Sequence, residues 1–199
     1  MRPHSSYLVG HDVIMPDFED ELTRLTNAIA NLFMSDPQCV AASGLLVQSA
    51  VFLGYDLKPR PVSMLTQLRD GSSAAVAFGV LAQDFARANG SVEQNTRERR
   101  WGNDFDDVGH MIVTSDDGWI FDPTFQQLSA YGFPLTPIIG QVDDVHPESG
   151  HIDLGDAELQ IRYWPVDDCT GWRNSYRQYV ATHLEDASEL ARMVRQREV

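Results

Sequence analysis

The stretch GHMIVTSDDGWIFDPT, residues 109–124, decides the fold. Two runs rich in β-branched and aromatic residues flank the turn sequence SDDG at 115–118, and this pattern predicts a β-hairpin. In an antiparallel hairpin, the residue numbers of every facing pair have the same sum. A three-residue loop carrying Gly118 makes this sum 232 or 234, and His110 and Asp122 then share one face of the hairpin. A two-residue turn at 117–118 gives about 235 instead and places these side chains on opposite faces.

Under the even register, both faces of the hairpin are largely apolar. One face carries His110, Ile112, Ile120 and Asp122, and the other carries Met111, Val113, Trp119 and Phe121. We therefore expect the hairpin to be covered on both sides. A buried Asp122 carboxylate requires a partner, and a protonated His110 would supply one. The alternative is a core histidine at 110 and an Asp122 that only forms the turn into Pro123-Thr124.

The segment 35–54 predicts the helix that covers one of these faces. Ser35-Asp36 suits the N-cap, Pro37 the first helical position and Gly54 the C-terminal stop. Between them the helix is apolar on nearly every side, which is typical of a central, buried helix. Cys39 then falls at the third helical position, where free backbone N–H groups and the helix dipole favour a thiolate.

The rest of the chain predicts further elements around this core. A strand near 55–68 contains two prolines, which favour the edge of a sheet. Residues 70–100 form either a lid or a packing element. The other predicted elements are helices at 18–33, 74–88 and 172–194, a loop at 91–100, and irregular connections over 131–165 with a strand at 159–164.

Length and composition limit the classes of protein. The chain has 199 residues, and we expect one domain, 1–199. The formal net charge of −14 makes nucleic acid and anionic membrane poor partners. The start lacks an apolar signal-peptide region, which favours the cytoplasm or secretion by a route without a signal. We expect no cofactor, because no glycine loop suited to phosphate is present.

Three residue types suited to acyl chemistry occur in this core. Amide cleavage needs a nucleophile, a base and a carboxylate that orients the base, and Cys39, His110 and Asp122 supply them in that order. The backbone N–H of Cys39 and the indole of Trp101 are candidate oxyanion donors. The alternative for Cys39 is a small buried apolar residue, as we expect for Cys169 with its acidic neighbours.

A loop metal site was also considered. Its ligands would be Asp143, Asp144, His146 and His151. Proline and glycine between the two histidines prevent the helical face that brings such pairs onto zinc in metalloproteases. The prediction is therefore that the protein holds no metal.

The order of these motifs resembles the transglutaminase-like branch of the papain-like cysteine enzymes. Gln38-Cys39 is similar to that family's nucleophile motif, and Asp122-Pro123-Thr124 to its acidic motif. The resemblance covers residues 35–126, with the helix at 172–194 outside it. It implies an α+β fold in which a buried nucleophile helix packs on an antiparallel sheet, with additional terminal helices.

The resemblance also implies a function. Cys39, His110 and Asp122 would form a catalytic triad, and Gln38 would join Trp101 in binding the oxyanion or substrate. The implied activity is a thiol-dependent amide hydrolase, a peptidase or glutamine deamidase acting on protein or peptide substrates. The alternatives are an acyltransferase, similar to transglutaminases or arylamine N-acetyltransferases, and a non-catalytic binding module.

Overall fold

The computed structural model describes residues 18–36, 38–69, 75–89, 96–97, 109–145 and 148–199. In these residues the chain forms an α+β fold. The helices are α1 Phe18–Leu32, α2 Cys39–Leu53, α3 Val80–Ala88, α4 Trp172–Thr182, α5 Leu184–Gln196 and a 3₁₀ helix, Phe125–Tyr131. The strands are β1 Lys58–Leu68, β2 Ala75–Phe78, β3 Thr96–Arg97, β4 His110–Thr114, β5 Trp119–Asp122, β6 Ile138–Gln141, β7 Ile152–Gly155 and β8 Leu159–Pro165.

The long strand β1 organises the sheet. Its first half pairs with β4 and its second half with β2, both antiparallel and along the same edge, while β8 pairs with the other edge from Val62 onward. The end of β2 therefore meets the start of β4. Gly109 lies at this junction, where a Cβ atom would overlap the backbone of Phe78 and Gly79.

The prediction that β1 lies at a sheet edge is wrong, because β1 is paired on both sides. Its prolines are tolerated for a local reason. The Pro61 carbonyl accepts a hydrogen bond from Val166 N, on the side away from β4, so the ring nitrogens of Pro59 and Pro61 also face that side. The ladder to β8 begins only at Val62, so the prolines remove no donor that this ladder uses.

The sheet curls into a nearly closed barrel. The strands run β7-β8-β1-β4-β5-β6, and β6 approaches β7, since a Cβ on Gly140 would lie 3.0 Å from Leu154. Apolar side chains from strands and the 3₁₀ helix fill the interior; they include Val62, Met64, Ile112, Ile120, Phe125, Leu128, Ile161 and Tyr163.

A layer of helices covers the outside of the hairpin. The central helix α2 is buried along most of its length, as its apolar sequence predicts. It packs with α1 and α5 against Val113 and Phe121, the face of the hairpin opposite Ile112 and Ile120. The expected coverage on both faces is confirmed. Within the described residues, no helix is long and apolar enough to cross a membrane.

The start of α2 differs from the prediction. The helix begins at Cys39 with Gln38 at the N-cap, so Cys39 occupies the first helical position and not the third. The Asp36 carboxylate accepts a hydrogen bond from the Gln38 side chain at 2.7 Å and does not cap the helix. Pro37 lies outside the described residues. The stop at Gly54 is confirmed, with φ of 94°.

Three other predictions are corrected. The helix over 74–88 is the strand β2 followed by α3, because Gly79 adopts φ of 82° between them. The region 131–165 contains β6 and β7 in addition to the predicted strand. The helix over 172–194 is interrupted at His183, where the hydroxyl of Thr182 bonds to backbone carbonyls of the preceding turn.

The loop predicted over 91–100 contains a short strand, because Thr96–Arg97 form β3, which pairs with β2 in parallel. The sequence Asp70-Gly71-Ser72-Ser73, which predicts a turn, lies outside the described residues.

Candidate functional site

His110 and Asp122 form a buried pair at the end of the hairpin. The register pairs Val113 with Phe121 and Thr114 with Ile120, so the paired numbers add up to 234. This confirms the even register, which places both side chains on the interior face. Nε2 of His110 lies 2.7 Å from Oδ2 of Asp122, and both side chains are 0% exposed.

Asp122 is held by further donors from two elements. The Tyr163 hydroxyl on β8 donates to Oδ2 at 3.1 Å, and the backbone N–H of Thr124 donates to Oδ1 at 3.1 Å. Asp122 therefore forms the turn into Thr124 with one oxygen and binds His110 with the other, because a carboxylate has two acceptor atoms. The alternative in which Asp122 only forms the turn is wrong.

Tyr163 is a buried hydrogen-bond donor that the sequence analysis missed. Burial, together with the charge of Asp122 and the hydrogen bond to it, raises the pKa of Tyr163 well above its usual value. The hydroxyl therefore keeps its proton and can donate to Asp122. The strand that contains Tyr163 is predicted from its apolar pattern alone, and nothing in the sequence indicates that this tyrosine donates a hydrogen bond to Asp122.

The ring of His110 favours its protonated form. Burial opposes the charge, but the charge of Asp122 and its hydrogen bond outweigh burial, and the Cys39 side chain adds a hydrogen bond and a charge contribution. Together they raise the pKa of His110 from 6.5 to about 9.

Cys39 reaches this ring from the helical layer. It is 3% exposed and packs in an apolar cluster with Met111, Val166, Cys169 and Trp172. Its side chain forms a hydrogen bond with His110. Cys39 is the first residue of α2 and His110 is the first residue of β4. The two side chains therefore meet at the strand end, although α2 packs on the opposite face of the hairpin.

Gln127 is a second residue that the sequence analysis missed. It lies in the 3₁₀ helix after β5, and its Nε2 is 3.1 Å from Nδ1 of His110. The polar pair Gln126-Gln127 between Phe125 and Leu128 was a usable signal, because two amides inside an apolar run need partners. Gln126 bonds to the Ala30 carbonyl of α1, and Gln127 turns towards His110.

Of the two side chains proposed to bind the oxyanion or substrate, Gln38 lies in the described part of the chain. Gln38 precedes Cys39 and is exposed, and its side-chain amide donates to Asp36 at 2.7 Å. Trp101 lies outside the described residues. The backbone N–H of Cys39 belongs to the first turn of α2, where helical N–H groups have no partner within the helix.

A buried arginine anchors the segment that packs beside Cys39. Arg60 on β1 donates to both carboxylate oxygens of Asp167, at 2.9 and 2.7 Å, and to the Val145 carbonyl. The next residues along the chain include Cys169, whose neighbour in the apolar cluster is Cys39. The arginine thus fixes the segment 166–169 against the start of α2.

Two other candidate sites contribute nothing to this arrangement. The described part of the chain contains no group of three or more potential metal ligands, and His146 of the suggested loop site lies outside it. A groove of about 730 Å³ runs between the helices, lined by residues such as Leu32, Phe33, Tyr179 and Leu190. None of the residues that surround His110 lines it.

The chain was also compared with known proteins. The comparisons with protein-family models, with curated proteins and with solved structures found no match. The site combines a cysteine at a helix start, a buried histidine whose pKa that cysteine helps to raise, and a carboxylate bonded to Nε2 of the ring.

Proposed function

We propose that this protein is a cysteine-dependent amide hydrolase, a peptidase or glutamine deamidase of the transglutaminase-like type. One observation carries the proposal: the buried ring of His110 is bonded to Asp122 through Nε2 and to the Cys39 side chain. A nucleophile, a base and an orienting acid in this order are what thiol acyl transfer requires.

The first step forms a thioester. The Cys39 thiolate attacks the carbonyl carbon of an amide, and the carbon–sulfur bond forms as the carbon–nitrogen bond breaks. The imidazolium of His110 gives its proton to the departing amine or ammonia. Asp122 keeps the ring in place and offsets its positive charge, because it holds Nε2 at 2.7 Å while Tyr163 and Thr124 fix the carboxylate.

The second step releases the acid. Neutral His110 takes a proton from water, the hydroxide attacks the thioester carbon, and the carbon–sulfur bond breaks to regenerate the thiolate. The oxyanion formed in each step would accept a hydrogen bond from the backbone N–H of Cys39. Gln38, which is exposed and directly precedes the nucleophile, is the candidate in the described part of the chain for further substrate binding, and Trp101 remains a candidate from the sequence alone.

The arrangement of elements supports the same assignment. The nucleophile begins a buried helix, and the histidine and acid lie on neighbouring antiparallel strands of a curled sheet on which that helix packs. This is the order and the layering expected of a papain-like, transglutaminase-like fold. The substrate would be a protein or peptide that presents a main-chain amide or a glutamine side chain.

Acyl transfer is the second candidate, because a thioester at Cys39 can pass its acyl group to an amine as well as to water. Cys39 is 3% exposed and His110 is 0% exposed, so either acceptor would have to reach a nearly buried site. A transglutaminase or an acetyltransferase acting through the same three residues is therefore the alternative.

Alkylation tests the proposed nucleophile. Iodoacetamide at pH 7 should modify Cys39 at least tenfold faster than free cysteine, with the site located by peptide mass. Cys169→Ser is the matched control, because it removes the other buried thiol, and it should leave this rate unchanged. His110→Ala should abolish the acceleration. The same alkylation is followed over pH 5 to 10, because the midpoint of its pH dependence reports the thiol pKa independently of how exposed Cys39 is. A midpoint near the value of about 8.5 for free cysteine, unchanged in His110→Ala, would favour a binding module and refute the enzyme.

Substrate assays separate hydrolysis from transfer. A glutamine-containing protein such as casein is incubated with the enzyme, with and without a fluorescent primary amine. Ammonia or new peptide termini without amine incorporation indicate hydrolysis, whereas incorporation indicates transfer. A third incubation, with acetyl-coenzyme A, tests the acetyltransferase through an acetyl adduct on Cys39. Cys39→Ser should be inactive in all three assays, and activity that survives this substitution would exclude the mechanism.

A further inference from the structure

The amide of Gln127 contacts the ring nitrogen of His110 that Asp122 leaves free. Gln127 is half-buried, and its Nε2 lies 3.1 Å from Nδ1, while Nε2 of the ring binds Asp122. The other amide atom, Oε1, is buried and has no hydrogen-bond partner within the described part of the chain. No other hydrogen bond of this amide therefore determines whether Nε2 or Oε1 faces the ring.

We propose that Gln127 is a positioning residue that binds Nδ1 of His110 in both protonation states of the ring through a half-turn of its amide. When the ring is neutral, Nδ1 is an acceptor and the amide N–H donates to it. When the ring is protonated, Nδ1–H is a donor and Oε1 accepts from it. The inference rests on the proposed function, because Asp122 occupies Nε2 and Nδ1 is the nitrogen left to exchange a proton with Cys39. In the protonated ring, the single Nδ1–H is then shared between Oε1 of Gln127 and the Cys39 sulfur.

The two bonds are not equally strong. A hydrogen bond from an imidazolium is assisted by charge and is roughly twice as strong as one between neutral groups. Gln127 therefore stabilises the protonated ring more than the neutral one. In the first step it would help to hold the imidazolium opposite Cys39. After the proton has left, its amide N–H would keep the neutral ring in the same orientation.

Other groups face the ring and must be kept constant in any test. Asp122 binds Nε2 from β5, and Tyr163 from β8 donates to the same carboxylate oxygen. Cys39 from α2 contributes a hydrogen bond, and Phe78 at the end of β2 stacks on the ring at 6.3 Å. Of the titratable groups, Cys39 and Asp122 contact His110 directly.

The test is a pH titration of the His110 ring by NMR in protein labelled with ¹⁵N-histidine. In Gln127→Leu the midpoint should fall by about half to one pH unit, because the charge-assisted bond is lost. In Gln127→Glu it should rise by about one unit, because a carboxylate favours the charged ring. Gln126→Leu is the control: Gln126 is the adjacent buried glutamine and bonds to Ala30 instead. Its midpoint should equal that of wild type.

Equal midpoints in Gln127→Leu and wild-type protein would overturn the proposal. If Gln127→Leu fails to fold, the nearly isosteric Gln127→Glu decides it, because an unchanged midpoint there refutes the contact. The titration uses no substrate, so its outcome is separate from that of the hydrolase. An unchanged midpoint with a reactive Cys39 refutes only the role of Gln127. A shifted midpoint with an unreactive Cys39 supports this role and refutes only the enzyme.

Discussion

The strongest quantitative prediction concerns Asp122→Asn. The pKa of His110 is about 9 in the folded chain and 6.5 for an unperturbed histidine, so folding favours the protonated ring. This stabilisation is fully present below pH 6.5 and is lost as the pH rises through about 9. At about 1.4 kcal/mol for each unit of difference between the two values, it amounts to roughly 3 kcal/mol. Asp122→Asn removes the charge that contributes most to it.

The assay is urea unfolding of both proteins at several pH values between 6 and 10. The free energy of unfolding of wild type should exceed that of Asp122→Asn by roughly 3 kcal/mol or more at pH 6, because burial without the Asp122 charge lowers the pKa of His110 in the variant. The excess should shrink as the pH approaches 9. Groups that titrate alike in the two proteins cancel in this difference.

A control substitution is available on α3. Asp84→Asn changes an exposed carboxylate that pairs with Arg87, a side chain that does not titrate in this range, so it should change the free energy of unfolding little and without a pH trend of this kind. An excess for wild type over Asp122→Asn that is independent of pH would refute the reasoning.

Three further substitutions test the support of the site by the same unfolding measurement. Tyr163→Phe removes the hydroxyl donor to Asp122 and should cost about 1–2 kcal/mol at pH 7, and no measurable loss would contradict the hydrogen bond. Gly109→Ala places a Cβ atom against the backbone at the end of β2 and should cost about 1–3 kcal/mol. An unchanged free energy of unfolding would show that the backbone between β2 and β4 can shift to accommodate the methyl group. Arg60→Lys loses the bidentate hydrogen bonding to Asp167 and should cost about 1–2 kcal/mol. An unchanged free energy of unfolding would mean that a single ion pair with Asp167 stabilises the fold as well as the bidentate one.

The hairpin shows how far local sequence can determine a site. A turn that carries Gly118 fixes the register, and the register fixes the face of every residue because side chains alternate along a strand. The sequence therefore allowed two arrangements, one with His110 and Asp122 on the same face of the hairpin and one with them on opposite faces. The choice between them depended on the turn, where Gly118 adopts φ of 87°.

Long elements with a strong apolar pattern were also predictable. The bounds of α1 and the C-terminal end of α2 agree with their sequence signals. Short strands such as β6 and β7 were not, because four residues carry too little periodic pattern to distinguish them from a loop. The interrupted helix at His183 depended on a side-chain hydroxyl that competes for backbone carbonyls.

The sequence by itself determined the buried helix of Cys39 and, once the turn was known, the shared face of His110 and Asp122, because these features follow from local periodicity and turn chemistry. The α+β class was what the family resemblance implied, and the structure has it. Only the tertiary structure decided that Cys39 reaches the ring, that Tyr163 fixes the acid and that Gln127 takes the second nitrogen. Those contacts join residues from separate elements, and their geometry depends on how the barrel closes and where the helix docks, which no local pattern encodes.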